Sequence, residues 1–190
     1  MPAVTRTPRN SWIEQGLSSL AAGGPDAVRI ESLARALGVT KGGFYGHFAH
    51  RDALLEAMLD TWERESVDEV RDRVEREGGD ARAKIQHAGR LAFSSDRLLP
   101  IDLAIRDWAR RDEAVAERLR RVDNRRMDYA RELFAGICSD PEEAEARSLL
   151  AFCLAVGNHF LASHHGNRTR ADVFSDAADL VLKRPHDHRP

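Results

Sequence analysis

Apolar residues recur at helical spacing along the whole chain, and no run of alternating apolar and polar β-branched residues interrupts them. That pattern accommodates helices and leaves nothing to build a sheet, so the fold class is read as all-α. Trp12, Ile13, Gly16, Leu17 and Leu20 fall on one side of a first helix over about 10–22, which Gly23-Gly24-Pro25 stops. Ile30, Leu33, Ala34 and Leu37 mark a second, shorter helix, broken at Gly38. A third is expected from Thr40 to near Phe48. A fourth starts near His50, with Leu54, Leu55, Met58, Leu59 and Trp62 on its apolar side and a charged continuation towards Glu77. Further helices are expected over 81–94, 98–110, 113–137, 141–165 and 170–183, about nine in all. Asp112, Asp140 and Thr169 stand where N-caps belong, and Pro141 suits a first turn.

Charge and cysteine usage narrow the setting. Of 190 residues, 42% are hydrophobic and 32% charged, which suits a folded chain rather than a disordered one. The formal net charge is -2, so a nucleic-acid binder of this composition must gather its basic residues on one face. Cys138 and Cys153 form no CxxC, which points to a reducing, cytoplasmic location. No long uncharged apolar run offers a membrane span, and the first residues lack the apolar core of a secretion signal. The polar end, 186–190, reads as a disordered tail.

The segment 29–48, RIESLARALGVTKGGFYGHF, carries the functional information. Gly38 can take the left-handed conformation a sharp turn between two helices needs, with Val39 packed inside the turn and the Thr40 hydroxyl capping the third helix. Phe44 and Phe48 are four apart and face one side. Lys41, Gly42 and Tyr45 point elsewhere, with His47 further round. A short helix with one aromatic side and one Lys/Tyr/His side is what insertion into a major groove requires.

In this stretch the chain resembles the TetR family. The resemblance rests on Leu37-Gly38-Val39-Thr40-Lys41-Gly42-Gly43-Phe44-Tyr45-Gly46-His47-Phe48 followed by Arg51-Asp52-Ala53-Leu54-Leu55, and extends over about 12–62. It implies phosphate contacts from Thr40, Tyr45, His47 and Arg51, groove contact from Lys41, and close backbone approach at Gly42 and Gly43. Arg29 stands where the family usually has a Ser or Thr that caps the second helix and touches phosphate, and is kept among the DNA-facing residues. Gly43 and Gly46 replace larger residues, which leaves few side chains to read bases and shifts weight to DNA shape. The implied architecture is a three-helix helix-turn-helix head, 1–55, joined through the long fourth helix to a helical effector-binding and dimerisation body, 56–185. The implied function is a ligand-responsive transcriptional regulator, a repressor that binds an inverted-repeat operator in double-stranded DNA as a homodimer.

The body shows no motif of its own. His87, Phe93, Trp108, Phe152 and His159 are the candidate effector pocket, apolar walls with a few polar groups, suited to a largely apolar small molecule. Arg106, with Asp102 four residues before it to neutralise it on the surface, is set aside in favour of Trp108. Leu149, Leu150, Cys153, Leu154, Gly157, Phe160 and Leu161 make the 141–165 helix apolar around much of its circumference. With Phe174, Ala177, Leu180 and Val181 of the last helix they are the candidate dimer interface. His164 and His165 would diverge on a helix, so no metal site is expected, and no cofactor. No nucleophile elbow or phosphate loop is present, which weighs against an enzyme. Two other readings fit the same residues: a helical small-molecule binder or enzyme with a vestigial head, and an architectural DNA-binding protein without effector.

Overall fold

The computed structural model describes residues 7–93 and 96–183, so the expected tail at 186–190 lies outside the described residues. Every regular element among them is helical: α1 (Arg9–Gly23), α2 (Ile30–Ala36), α3 (Lys41–Tyr45), α4 (Arg51–Glu63), α5 (Val70–Glu77), α6 (Ala81–Phe93), α7 (Leu98–Ala109), α8 (Glu113–Phe134), α9 (Pro141–Gly157) and α10 (Arg170–Leu182). A short 3₁₀ turn, Pro25–Ala27, joins α1 to α2. A π-helical stretch, Arg64–Glu69, joins α4 to α5. Helical backbone therefore runs without a break from Arg51 to Glu77, the long fourth helix of the sequence reading. Counted so, the described helices number nine.

The chain divides into two compact units, 7–69 with 96–122 and 70–93 with 123–183. The first holds the head. Trp12, Leu17 and Leu20 of α1, Leu33 of α2, Phe44 of α3, and Leu54, Met58 and Trp62 of α4 are buried in one cluster with Ile101, Ile105 and Trp108 of α7. α1 reaches α4 closely because Gly16 carries no Cβ; one placed there would lie 2.6 Å from the Met58 sulfur. At the α2–α3 turn Gly38 has φ +67°, the left-handed value the turn demands, and Val39 donates its N–H to Ala34.

Asp102 and Arg106 depart from the sequence reading. Their ion pair forms, at 2.8 Å, but in the interior rather than on the surface: the side chains are 2% and 16% exposed. The Trp62 indole N–H also donates to Asp102, at 3.2 Å. α7 turns this face to α1 and α4, so the carboxylate is buried there with hydrogen-bond donors from Arg106 and Trp62 directed at it.

In the second unit Phe134, Cys138, Ala144 and Leu182 form a small core, with Ile85, Ile137, Ala151 and Val181 packed on it. α9 and α10 are antiparallel, and each supplies an arginine to the other's C-terminus. Arg170 of α10 donates to the carbonyl of Asn158 at the end of α9 (2.7 Å), and Arg147 of α9 donates to those of Val181 and Lys183 (2.5 and 2.6 Å). These carbonyls lack helical partners, so the guanidinium groups both satisfy them and complement the helix dipole. The expected caps at Asp140 and Thr169 are present; Thr169 and Asp172 form a reciprocal capping box.

The helix expected over 141–165 ends at Gly157. Gly157 and Asn158 are poor helix residues, and Arg170 takes up the carbonyl freed at Asn158. Phe160 and Leu161 therefore stand in the turn beyond α9, and His164 and His165 are not helical at all. α8 likewise stops at Phe134, short of the expected 137.

Candidate nucleic-acid interface

α3 is five residues long and is held by its aromatic side. Phe44 is fully buried, meets Trp12 edge-on at 5.4 Å between ring centroids, and stacks on Phe48 at the same distance. The opposite side, with Lys41, Gly42 and Tyr45, faces solvent. Tyr45 is 59% exposed, yet its ring leans edge-on against Phe44, which limits where the hydroxyl can point. Thr40 supplies extended backbone before α3, and its carbonyl accepts from Gly43. Its hydroxyl makes no capping bond, contrary to the sequence reading. The hydroxyl is exposed at the start of α3. Gly46 is at the C-terminal cap of α3 rather than inside it.

The remaining cations are anchored. Arg51 donates from Nε to the carbonyl of Val28 (2.7 Å) and from Nη2 to that of Pro25, clamping the start of α4 to the α1–α2 connection. His47 Nε2 is 2.8 Å from the carbonyl of Thr7, just ahead of α1. Arg29 donates to the carbonyl of Asp26 at 3.1 Å. The Lys41 ammonium is paired with the Glu31 carboxylate of α2, and both side chains are 56% exposed. That partner holds the Glu31 carboxyl below the usual carboxylate range. Arg9, at the start of α1, lies over the Phe48 ring at 4.8 Å. Sequence reasoning found neither Glu31 nor Arg9. Ten residues separate Glu31 from Lys41 across a turn, a spacing with no helical signature, and acceptors such as the Pro25 and Val28 carbonyls are the same for every residue type.

Residues 13–58, from the middle of α1 into α4, match the sequence model described as bacterial regulatory proteins of the tetR family. Over these residues the chain carries a head of the tetR-family type, which supports a DNA-binding regulator. Solved structures extend the likeness to the whole fold. A structure described as a putative TetR-family transcriptional regulator from Rhodococcus sp. is 23% identical, with a TM-score of 0.62 over 92% of this chain and 98% of its own. The fatty acid degradation regulator FadR from Bacillus halodurans is 16% identical, with a TM-score of 0.64 over 92% and 98%. AibR, in complex with isovaleryl coenzyme A and operator DNA, is 17% identical, with a TM-score of 0.60 over 90% and 96%. No curated protein sequence matches the chain.

The residues singled out in the body fall in both units. Trp108 is in the core of the first, with α1 and α4. His87, Phe93, Phe152 and His159 are in the second. There Phe93 and Phe152 meet edge-on at 5.4 Å, and His159 Nε2 lies 3.1 Å from the Phe93 carbonyl. The Arg126 guanidinium stands 5.6 Å over the Phe93 ring. His87 Nδ1 is 3.1 Å from a Glu77 carboxylate oxygen. Of the candidate interface residues, Leu149, Leu150, Cys153, Gly157, Phe160, Leu161 and Leu180 are exposed, whereas Leu154, Phe174, Ala177 and Val181 are half-buried. Among the described residues no helix is long and apolar enough to cross a membrane.

Proposed function

We propose that the protein is a ligand-responsive repressor that binds an inverted-repeat operator as a homodimer. The observation that carries this reading is α3. A short helix is seated by Phe44 on an aromatic core and turns outward a hydroxyl (Thr40), a phenol (Tyr45), an ammonium (Lys41) and two positions without side chains (Gly42, Gly43). Thr40 and Tyr45 hold phosphates, Lys41 reaches a base edge, and the glycines let the backbone come close. Arg51 and His47, bonded to backbone carbonyls, fix the angle at which α3 is presented. Arg29, at the N-cap of α2, flanks the same edge.

Two-fold symmetry of the dimer would match that of the operator. The effector is a largely apolar small molecule held in the second unit near Phe93, Phe152 and His159. AibR, in complex with isovaleryl coenzyme A, is a precedent for a small-molecule ligand in this fold. To lower DNA occupancy it must bind the DNA-incompetent state more tightly than the competent one. A salt-dependent gel shift with DNA flanking the protein's own gene tests the reading. A retarded band that weakens steeply with salt and is weakened further in Tyr45→Phe and Lys41→Ala is the expected result. Unchanged binding in both folded variants would remove the head from the mechanism. Release of that DNA by a candidate ligand that also raises the melting temperature tests the effector.

A further inference from the structure

We propose that Glu31 is a specificity-determining residue of the head: it cancels the charge of Lys41 towards phosphate and yields it only to a base edge. The inference rests on the reading of α3 given above. Lys41 is the only cation on α3, whose sequence is KGGFY, so its state sets how much charge the helix brings to DNA. The cations around it are held differently. Arg29 and Arg51 donate to neutral carbonyls, which fix their position and leave their charge in place. Lys41 alone among these three donates a hydrogen bond to a carboxylate, which fixes it and neutralises it as well, whereas Asp52 comes no nearer to Arg51 than 3.9 Å. The Lys41 ammonium in turn holds the Glu31 carboxyl below its usual range.

On DNA that offers only phosphates, the intact pair contributes no net charge. Separating it would place the Glu31 carboxylate at the edge of a polyanion, with a single phosphate contact in return. On DNA that presents a guanine O6/N7 edge at the right step, Lys41 gains a directed acceptor worth more than an exposed ion pair. Glu31 thus lowers affinity everywhere, but lowers it most where no base acceptor waits. An exposed pair of this kind adds little to folding, so its removal separates specificity from stability.

The test uses the full-length protein and two labelled duplexes of equal length and composition. One carries the sequence that the wild-type protein enriches from a randomised library, the other its scrambled version. In Glu31→Gln, affinity for the scrambled duplex should rise about three- to tenfold, the log–log salt slope on it should steepen by about one, and the ratio of the two affinities should fall about threefold or more. Glu31→Asp should keep the wild-type ratio. In a Lys41→Ala background, Glu31→Gln should leave the ratio of the two affinities unchanged. An equal rise on both duplexes, no change on either, a change in the ratio that survives in the Lys41→Ala background, or a library that yields no enriched sequence would overturn the proposal. Loss of binding in Tyr45→Phe together with an unchanged ratio in Glu31→Gln would overturn this inference and leave the reading of the head standing. Unchanged affinity in both Tyr45→Phe and Lys41→Ala would overturn the two together.

Discussion

Gly42 and Gly43 set stability against function within two residues. A Cβ at Gly42 would meet only the Thr40 hydroxyl, at 3.6 Å, and one at Gly43 would meet Trp12 at 3.7 Å and Val39 at 4.0 Å, all ordinary contacts. Neither glycine has a positive φ. The fold therefore has room for alanine at both, and helix propensity favours it by up to about 1 kcal/mol per site. Gly42→Ala and Gly43→Ala should each raise the melting temperature of the head. Each should also weaken DNA binding, Gly42→Ala the more, because its methyl would project from the exposed face of α3. Thermal denaturation and a gel shift on the same preparations check this. Stabilised variants that bind DNA as well as the wild type would show that close backbone approach at α3 is not needed.

The second unit depends on contacts between elements that only the fold brings together. Glu75 of α5 accepts from Lys84 of α6 and, at 2.9 Å, from the Tyr129 hydroxyl of α8. The hydrogen bonds from Lys84 and Tyr129 hold the Glu75 carboxyl below its ordinary range. Burial, then the bond to Glu75, pushes the Tyr129 phenol up. The signs follow by linkage. The Glu75 contribution is present above the ordinary glutamate range, about 4.3, and is lost as pH falls through the lower folded value. The Tyr129 contribution is present below about 10 and is lost as pH rises through the higher folded value. With only two tyrosines in the chain, Tyr45→Phe leaves Tyr129 as the sole phenol. Its ultraviolet titration should begin above the ordinary tyrosine range, and Glu75→Gln should bring it part of the way down. A titration at the ordinary value would show that α5 and α8 do not meet in this way. Gly136, just past α8, is a second such contact. A Cβ there would lie 2.7 Å from the Ala81 Cβ and 3.2 Å from the Leu133 carbonyl oxygen, so Gly136→Val should destabilise the unit by about 1–3 kcal/mol in chemical denaturation.

How much of this was legible in the sequence follows from the range of each interaction. Caps at Asp140 and Thr169, the turn at Gly38 and the aromatic side of α3 are settled within a few residues, and the sequence shows them. Gly136 against Ala81, Arg147 against the end of α10 and Glu31 against Lys41 are settled across turns and between helices. Asp102 and Arg106 illustrate the limit. Their spacing announced the pair, but whether it faces water or the interior depends on which side of α7 meets α1 and α4. The expected continuation of α9 past Gly157 failed for a related reason. The apolar residues beyond it suggested more helix, while the partner of the Asn158 carbonyl, Arg170, comes from another helix.

At the scale of the whole molecule, the question is what covers α9. Its inward stripe, Ala144, Ser148, Ala151 and Ala155, is small and packs within its own unit. Its outward stripe, Ala146, Leu149, Leu150, Cys153 and Gly157, keeps the three–four spacing of a helix seam and is exposed throughout. Phe160 and Leu161 prolong this apolar surface past the helix end, and Leu180 of α10 is exposed in turn; Phe160 and Leu180 are 67% and 63% accessible. The reciprocal arginine caps fix α9 and α10 as a rigid pair, so the surface is presented as a unit. Contiguous exposed leucines on a rigid helix pair are costly in water unless something covers them. In the proposed homodimer a second copy would supply the same stripe, and Gly157 would let the two backbones approach. Light scattering is then expected to give twice the chain mass of 21.3 kDa. Leu149→Glu with Leu150→Glu should give the single-chain mass and leave the helical content and the head unchanged, since neither side chain is needed inside the monomer. Such a monomer should bind a half-site as well as the wild-type protein's single head does, but lose the gain from two heads on one duplex. A wild-type protein already at the single-chain mass at micromolar concentration would mean that α9 and α10 are covered by something other than a second copy.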